Sequence, residues 1–319
     1  MKPIITAVSL CLLLLTPLLV DTEPAVSKKI IADLEMITIE AGRFTMGSTQ
    51  SGADYSPEHT VNISAFRMSK HEVSQKLYAE ITGERPCAGS KYGAGDQLPV
   101  YNVSWYDAVG FCNRLSLACG LEPYYIITKN DIDPANVSAY DPLRWEVRVN
   151  AKAGGFRLPT EAQWEYACRA ADDGAGSRGA LAGDSVWFDK NSGGESHPVA
   201  SKRPNAWGLC DMLGNVAEWC LDPVANDPAP VVAPMLRPAV DRMDVFRATR
   251  GGAWTCSIRD CDPGQRGRNG EFSPFPDLGF RVALVRRAED ERVDAQLQQP
   301  APHDPEVQPQ MPRLTVYIR

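Results

Sequence analysis

Two cysteines five positions apart are the residues of this chain best suited to chemistry. Cys256 and Cys261 lie in the stretch "RGGAWTCSIRDC", residues 250 to 261, behind a glycine pair and a tryptophan. Thiolates are soft ligands that select Cu(I) and zinc, and three arginines nearby would favour the thiolate form: Arg259, Arg266 and Arg268. The spacing alone leaves four possibilities open, which are a disulfide, a metal site, a redox-active pair and two buried thiols.

A second stretch has side chains suited to a hard cation. "WGLCDMLGNVAEWC", residues 207 to 220, places Asp211, Gly214, Asn215 and Glu218 within eight residues. Carboxylates separated by a glycine turn, with backbone carbonyls between them, are ligands of the kind that calcium prefers. The alternative is a tight turn whose carboxylates cap backbone amides. The spacing does not decide between these two interpretations.

Composition and missing motifs exclude several classes of function. The chain has 319 residues and a formal net charge of -7, which argues against a nucleic-acid surface. None of its four histidines lies three or four positions from another, and this disfavours a histidine-based zinc or iron centre. Hydrolase, kinase and dehydrogenase functions lack support, because the sequence has no G-x-S-x-G, P-loop or dinucleotide-binding pattern.

The N-terminus predicts export. One lysine precedes an almost unbroken apolar run from Pro3 to Val20, which is typical of a secretory signal. The cleavage site near Ala25 is poor, so residues 1–25 are either a cleaved signal peptide or a retained membrane anchor. We expect a secreted or periplasmic protein that contacts a membrane through this segment alone. Export permits disulfides, but the nine cysteines follow no regular spacing and indicate no disulfide framework.

The elements that must position these residues are short. Ser104 with Asp107, and Thr160 with Gln163, each show the pattern of a capping box and predict two helices. Many short strands and long irregular connections complete an α+β domain that is poor in regular structure. The proline- and glutamine-rich residues 286–319 predict a flexible tail.

Seven segments of the chain match the motifs of one family in the same order. They are "GRFTMGS", "PEHTVNISAFRMSKHEVS", "LPVYNVSWYDAVGFCNRLS", "GGFRLPTEAQWEYACRA", "SHPVASKRPNAWGLCDMLGNVAEWC", "RGGAWTCSIRDC" and "DLGFRVA". Together they cover about residues 35–285, and they resemble the sulfatase-modifying factor family, the formylglycine-generating enzyme domain. The resemblance implies a single domain of C-type-lectin-like α+β architecture with little regular secondary structure.

The resemblance also implies a copper-dependent oxidase. The best-known members of the family use O2 to convert one cysteine of a Cys-x-Pro-x-Arg motif in an unfolded sulfatase into formylglycine. Cys256 and Cys261 match the two family cysteines that bind Cu(I), with the same five-residue step. The resemblance therefore makes them the catalytic and copper-binding residues, with Trp254 walling the site and a sulfatase as the protein partner.

A structural calcium ion is implied in the same way. Asp211 and Glu218 match the side-chain ligands of a family calcium site, and Gly214 and Val216 match positions that bind through their backbone carbonyls. A second family calcium site is not carried over, because Ser185 stands where an amide ligand is expected.

Several positions depart from the proven oxidases. Ala217 replaces the usual tryptophan, and "DPGQRGRN" after Cys261 replaces an Arg/Tyr-rich run. Val282 stands where some relatives have a cysteine paired with the equivalent of Cys168, so that disulfide is not expected. Many relatives keep the scaffold without the activity. The rival hypothesis is therefore a non-catalytic binding or assembly module in the exported compartment, whose groove holds a protein or glycan and whose loop cysteines form a disulfide.

Overall fold

A computed structural model describes residues 30, 34–48, 57–134, 136, 138–170, 182–224 and 246–285. The predicted signal or anchor segment, residues 1–25, and the predicted tail, residues 286–319, lie outside these ranges and stay predictions. No helix within the ranges is long and apolar enough to cross a membrane.

The described strands are short and form four small sheets. One sheet has the order β10-β7-β8-β9, with β10 parallel to β7 and the other neighbours antiparallel. A second, antiparallel sheet has the order β1-β4-β11, and β2–β3 and β5–β6 form two further pairs. The strands are β1 (Met36–Ile39), β2 (Gly42–Met46), β3 (His59–Ile63), β4 (Phe66–Ser69), β5 (Tyr125–Ile132), β6 (Trp145–Val149), β7 (Ala217–Val224), β8 (Phe246–Arg250), β9 (Gly267–Gly270), β10 (Leu278–Gly279) and β11 (Ala283–Val285).

The helices are α1 (Gln75–Thr82), α2 (Trp105–Ala118), α3 (Glu161–Arg169) and the short α4 (Ala182–Ser185). Both predicted capping boxes are present. In each, the N-cap side chain accepts from the backbone of the third helical residue, whose own side chain accepts from the N-cap backbone. The prediction of α2 and α3 is therefore confirmed. Helix α1, which the sequence analysis does not predict, begins after Ser74 and ends at the left-handed Gly83.

Buried tryptophans tie the helices to the four-stranded sheet. Trp105 at the start of α2 donates from Nε1 to the carbonyl of Cys220 at 3.1 Å, and Trp219 on β7 donates to the carbonyl of Val103 at 3.0 Å. Trp164 on α3 is equally buried and belongs to a second apolar cluster. Indole N–H groups with partners inside a packed core fix relative position as well as burying area.

The pairing of β7 with β8 brings both candidate stretches to one end of the sheet. Glu218 at the start of β7 lies opposite Arg250 at the end of β8. The stretch 211–217 therefore enters the sheet at the same end at which the chain leaves β8 toward Cys256. The predicted α+β domain with little regular structure is confirmed by this arrangement of short strands and few helices.

Candidate functional site

Arg250 holds both ends of the loop that carries the cysteines. Its buried guanidinium donates from Nε to Glu161 at 2.9 Å and from Nη2 to Glu165 at 3.0 Å. Its Nη1 donates to the carbonyls of Pro263 and Gln265 at 2.8 and 3.2 Å. Because Arg250 precedes the loop and the two carbonyls follow it, one side chain fixes where the loop begins and where it ends.

Gly252 allows the segment that carries Cys261 to pack against the start of the loop. Its φ is +68°, in the left-handed region that glycine adopts without a steric penalty. A Cβ at this position would lie 2.9 Å from Sγ of Cys261 and 2.9 Å from the carbonyl oxygen of Asp260. The missing side chain therefore lets residues 260–261 pack on the glycine turn, within the electrostatic range of Cys256.

Both cysteines are free thiols, and they differ in access. Cys256 is half-buried, whereas Cys261 is 6% exposed. Burial raises the pKa of both thiols, that of Cys261 to about 12. Cys256, Asp260 and Asp189 add to the shift at Cys261, and Asp277 and Asp260 add to the shift at Cys256. The loop therefore keeps both sulfurs protonated at neutral pH.

The prediction that nearby arginines favour the thiolate is wrong. Arg266 points inward to the buried carboxylate of Glu161, and the Arg268 guanidinium lies 5.7 Å from the ring centre of Phe246. Arg259 is exposed, and none of the three is among the groups that lower the pKa of either thiol. Proximity in sequence misleads here because a buried carboxylate and an aromatic face compete for these cations.

Three other segments contact the loop that carries the cysteines, through Tyr92, Asp189 and Pro276. Trp254 lies two residues before Cys256, donates from Nε1 to the carbonyl of Pro276 at 3.3 Å, and packs its ring 5.2 Å from that of Tyr92. Asp189 donates its backbone N–H to the carbonyl of Cys256 at 2.9 Å. The acidic side chains that act on the two thiols are Asp189, Asp260 and Asp277, and together they are called the rim below.

The stretch 211–218 supports this loop from beneath. Gly214 donates its N–H to the carbonyl of Gly251 at 2.9 Å, and the N–H of Trp254 donates to the carbonyl of Asn215 at 2.8 Å. Gly214 cannot be replaced by a larger residue, since a Cβ there would lie 2.1 Å from the carbonyl oxygen of Trp187. The two stretches singled out in the sequence are therefore one structural unit.

Glu218, a predicted calcium ligand, has both carboxylate oxygens occupied by protein donors. Arg281 donates from Nε and Nη2 at 2.7 to 2.9 Å, and Trp164 donates from Nε1 at 2.7 Å. Glu218 and Arg281 are both fully buried. This carboxylate is neutralised by an arginine and, as it stands, does not fit a calcium ligand. Val216 lies in the main core, with its side chain fully buried.

Asp211, another predicted calcium ligand, lies beside a buried acidic residue that the sequence analysis missed. Asp211 is 3% exposed, and burial raises its pKa to about 6. Beside it lies the fully buried Glu72, whose side chain hydrogen-bonds that of Asp211 and thereby lowers the pKa of Asp211 against the effect of burial. Within the described residues, no three His, Cys, Asp or Glu side chains form a ready-made metal group. No sequence pattern linked Glu72 to Asp211, because the two residues are far apart along the chain.

The cysteine pair fits Cu(I) by donor type and by charge. Two sulfurs form a soft donor set of the kind that Cu(I) selects. The aspartates that disfavour a negative thiolate favour a bound positive ion, and a Cu(I) ion offsets one of the two thiolate charges as the protons leave.

A cavity of about 250 Å³ lies elsewhere on the molecule, and neither cysteine lines it. The buried polar side chains at its floor are already hydrogen-bonded to one another and to the backbone. It has no evident connection to the cysteine loop. Its lining residues are Asn136, Ser138, Tyr140, Asp141, Phe246, Gly270, Phe272 and Ser273.

The family assignment follows from a match over most of the chain. A family model described as the sulfatase-modifying factor enzyme 1-like domain matches residues 23–286. The chain belongs to this family. Solved structures agree in fold: Treponema denticola variable protein 1 has 32% identity and a TM-score of 0.66 over 79% of this chain and 95% of its own. CarF, at 24% identity, shares the fold with a TM-score of 0.61 over 80% and 99% of the two chains.

Relatives of this sulfatase-modifying factor domain carry diverse names. The chaperone protein LppX of Paenibacillus barcinonensis is 31% identical over 78% of this chain and 88% of its own. A formylglycine-generating enzyme of Mycobacterium tuberculosis is 26% identical over 77% and 96% of the two chains. The serine/threonine-protein kinase pkn1 of Chlamydia pneumoniae is 30% identical, and the match covers 41% of its length. Membership of the family therefore does not by itself assign an activity.

Proposed function

We propose that this sulfatase-modifying factor domain is a formylglycine-generating oxidase that uses O2 and copper to convert a cysteine of a target sulfatase into formylglycine. The observation that carries the proposal is a pair of free thiols, one of them half-exposed, in a loop fixed at both ends by Arg250. The match to formylglycine-generating relatives over most of the chain supports it. Export by the N-terminal segment is part of the same proposal.

The electron balance of the reaction defines what must be supplied. Oxidation of a cysteine side chain to an aldehyde consumes one water molecule, releases hydrogen sulfide and yields two electrons and two protons. Reduction of O2 to water takes four electrons, so two more electrons must come from an external thiol pair, which leaves as a disulfide. Copper(I) at Cys256 and Cys261 would supply the activation of O2.

The residues of the chain would position and protect this chemistry. Cys256 and Cys261 would hold the metal, and the half-exposed Cys256 marks the side from which the substrate thiol approaches. Trp254 and Tyr92 would exclude water from one side. Calcium near Asp211 would be structural, since the stretch beneath the loop is bonded directly to it.

The test is conversion of a Cys-x-Pro-x-Arg peptide in the presence of O2, Cu(I) and a reducing thiol, followed by mass spectrometry. The proposal expects a peptide aldehyde from the wild-type protein and none from Cys256→Ser or Cys261→Ser. Cys119→Ser is the matched control, because Cys119 is a half-buried cysteine that lies at the end of α2, away from the loop. Loss of activity in all three variants would point to a general thiol effect and contradict the assignment.

The rival hypothesis, a non-catalytic binding or assembly module, is favoured by the chaperone-named relative. It predicts a protein that takes up no Cu(I) at Cys256 and Cys261 and produces no aldehyde. Metal analysis of Cu(I)-treated wild-type protein against the Cys256→Ser variant separates the two hypotheses before any substrate is known. Equal copper content in both proteins would favour the rival.

A further inference from the structure

The cavity of about 250 Å³ combines aromatic side chains with a buried carboxylate. Three aromatic side chains line its more exposed part, and they are Tyr140, Phe246 and Phe272. Asp141, which is 3% exposed, lines its deeper part. Both kinds of group attract a cation, the aromatic faces through their quadrupole and the carboxylate through its charge. This lining therefore favours a positively charged ligand.

A second carboxylate lies behind Asp141. The hydroxyl oxygen of Tyr106 is 2.8 Å from Oδ2 of Asp141 and 2.8 Å from Oε2 of Glu271. Burial and the charge of Glu271 raise the pKa of Tyr106, so the hydroxyl keeps its proton. A hydroxyl has a single proton and can donate to only one of the two oxygens. Tyr106 therefore bridges the two carboxylates without neutralising either of them.

One arginine contacts this pair of carboxylates. Nε of Arg247 donates to Oε1 of Glu271 at 2.6 Å, and its Nη1 donates to the carbonyl of Leu221 at 2.8 Å. The guanidinium lies 3.8 Å from the ring centre of Trp105. Arg247 thus offsets the charge of Glu271. Since the cluster has two carboxylates and one guanidinium, the negative charge of Asp141 at the cavity has no matching cation within it.

Other basic residues flank this region without entering the cavity. The guanidinium of Arg268 lies 5.7 Å from the ring centre of Phe246, and Nζ of Lys129 lies 4.1 Å from that of Trp145. Arg144 donates its backbone N–H to Oδ1 of Asp141. None of these three cations is among the residues that line the cavity. The aromatic faces and the carboxylate therefore remain available to a ligand.

The oxygens of Asp141 indicate which kind of cation fits. Oδ1 accepts from the backbone N–H groups of Leu143 and Arg144 at 2.8 and 3.0 Å. Oδ2 accepts from Nδ2 of Asn136 at 2.7 Å and also contacts the Tyr106 hydroxyl. A metal ion or a primary ammonium needs oxygen lone pairs that these contacts already occupy. A quaternary ammonium needs none, because methyl groups cover its charge and pack against aromatic faces.

We propose that this cavity binds a small organic cation whose nitrogen carries methyl groups, of the trimethylammonium class. Tyr140, Phe246 and Phe272 would contact the methyl groups, and Asp141 would supply the opposite charge without a direct hydrogen bond. A cavity of roughly 150 Å³ holds one benzene molecule, so this one has room for a trimethylammonium group and a short chain. The inference is separate from the proposed oxidase, since neither cysteine of the loop lines the cavity.

The test is calorimetric titration of the full chain with choline and with its neutral isostere 3,3-dimethylbutan-1-ol, without copper or peptide. The two probes share a shape and differ in charge, so choline should bind at least about 10-fold more tightly. Asp141→Asn should weaken choline binding by about 10-fold.

Aromatic contacts are tested by substitutions that keep apolar bulk. Tyr140→Leu and Phe272→Leu should each weaken choline binding roughly 2- to 5-fold, because leucine lacks the ring quadrupole. Tyr140 is 77% exposed, so its substitution tests the contact without disturbing the core. Phe275→Leu is the matched control, since Phe275 is exposed and does not line the cavity; this variant should bind choline as the wild-type protein does.

Three results would overturn the proposal. Equal affinity for choline and for the alcohol would make the cavity an apolar site. Choline binding that is unchanged in both Tyr140→Leu and Phe272→Leu would place the cation elsewhere on the protein. Binding of neither probe would show that the charge of Asp141 is compensated within the protein.

The source of the cation is determined with vesicles. Sedimentation with phosphatidylcholine vesicles, but not with phosphatidylglycerol vesicles, that Tyr140→Leu abolishes would identify a lipid headgroup. Choline binding without sedimentation would identify a free small molecule. None of these measurements involves the oxidase reaction, so failure here and failure of the proposed function are distinguishable.

Discussion

The half-buried Cys256 and the buried Cys261 lie in an acidic environment that raises the pKa of both thiols, and this governs their reactivity. A thiol with a raised pKa is a slow nucleophile at neutral pH, because the thiolate is the reactive form. The pair is therefore poorly suited to thiol exchange or nucleophilic attack. It remains suited to binding a soft cation that displaces the protons.

The contribution of single rim charges to this state can be measured by alkylation. Asp277 helps to raise the pKa of Cys256, after burial as the larger cause. Asp277→Asn should lower that pKa, and at pH 8 it should speed alkylation of Cys256 by iodoacetamide roughly 2- to 5-fold. The amide keeps an oxygen that can accept the hydroxyl of Thr255. Peptide-level mass spectrometry over time gives the rate.

Asp189→Asn is the matched control for this rate. Asp189 belongs to the same rim, but it raises the pKa of Cys261 and is not among the groups that raise that of Cys256. Its substitution should leave the alkylation rate of Cys256 nearly unchanged. If both substitutions accelerate the reaction equally, the effect belongs to the net charge of the rim and the assignment to Asp277 is wrong.

At the scale of elements, the glycine turn positions Cys261, and we expect it to set the spacing of the cysteines. Gly252→Ala places a methyl group 2.9 Å from Sγ of Cys261 in a left-handed backbone. We expect loss of Cu(I) loading, and a fall of roughly 1–3 kcal/mol in the free energy of unfolding. Gly83→Ala is matched to it, since Gly83 has φ +80° with nothing within 4 Å. That variant should lose about 1 kcal/mol through backbone strain and still load copper fully; loss of copper in both would disconnect loading from the cysteine spacing.

Arg250 holds both ends of the same loop through its hydrogen bonds. Arg250→Met removes a buried cation and leaves Glu161 and Glu165 without their shared partner, so we expect a loss of about 3–5 kcal/mol in urea unfolding. Amide exchange at residues 251–265 should also accelerate, because both ends of the loop are released. Arg85→Met, at an exposed pair with Asp96, should change stability by less than about 1 kcal/mol. Unchanged exchange in the loop would contradict the anchoring role.

Local features of the fold could be predicted from the sequence, and contacts between distant segments could not. Each capping box, at Ser104 and at Thr160, is a pattern of four consecutive residues, and the helix that it predicts is present. The cysteine pair is likewise recognised from a short stretch of sequence, because its members are five residues apart. Glu72 reaches Asp211 only after the chain folds back on itself. Helix α1 carries the same local kind of signal, an N-cap serine and a terminal glycine, yet the sequence analysis did not predict it.

At the scale of the whole molecule, Arg281 joins the two larger sheets. Its Nη1 donates to the carbonyl of Ser69 at the end of β4, and its other nitrogens bind Glu218 at the start of β7. It also donates to the carbonyl of Cys210, so three distant segments meet at one guanidinium. The stretch between Cys210 and Glu218 is in turn hydrogen-bonded to the cysteine loop, so we expect the junction to support the site.

A double-mutant cycle tests the junction. Arg281→Met and Glu218→Gln should each reduce the free energy of unfolding by about 3–5 kcal/mol, because each leaves buried polar groups without a partner. The double variant should be more stable than the sum of the single losses predicts, with a coupling of roughly 1–3 kcal/mol. The exposed pair Lys76 and Glu80 on α1 provides the control cycle, with a coupling of about 0.5 kcal/mol or less. Additive losses at Arg281 and Glu218 would mean that the sheets are held together by apolar packing and that the ion pair only fills space between them.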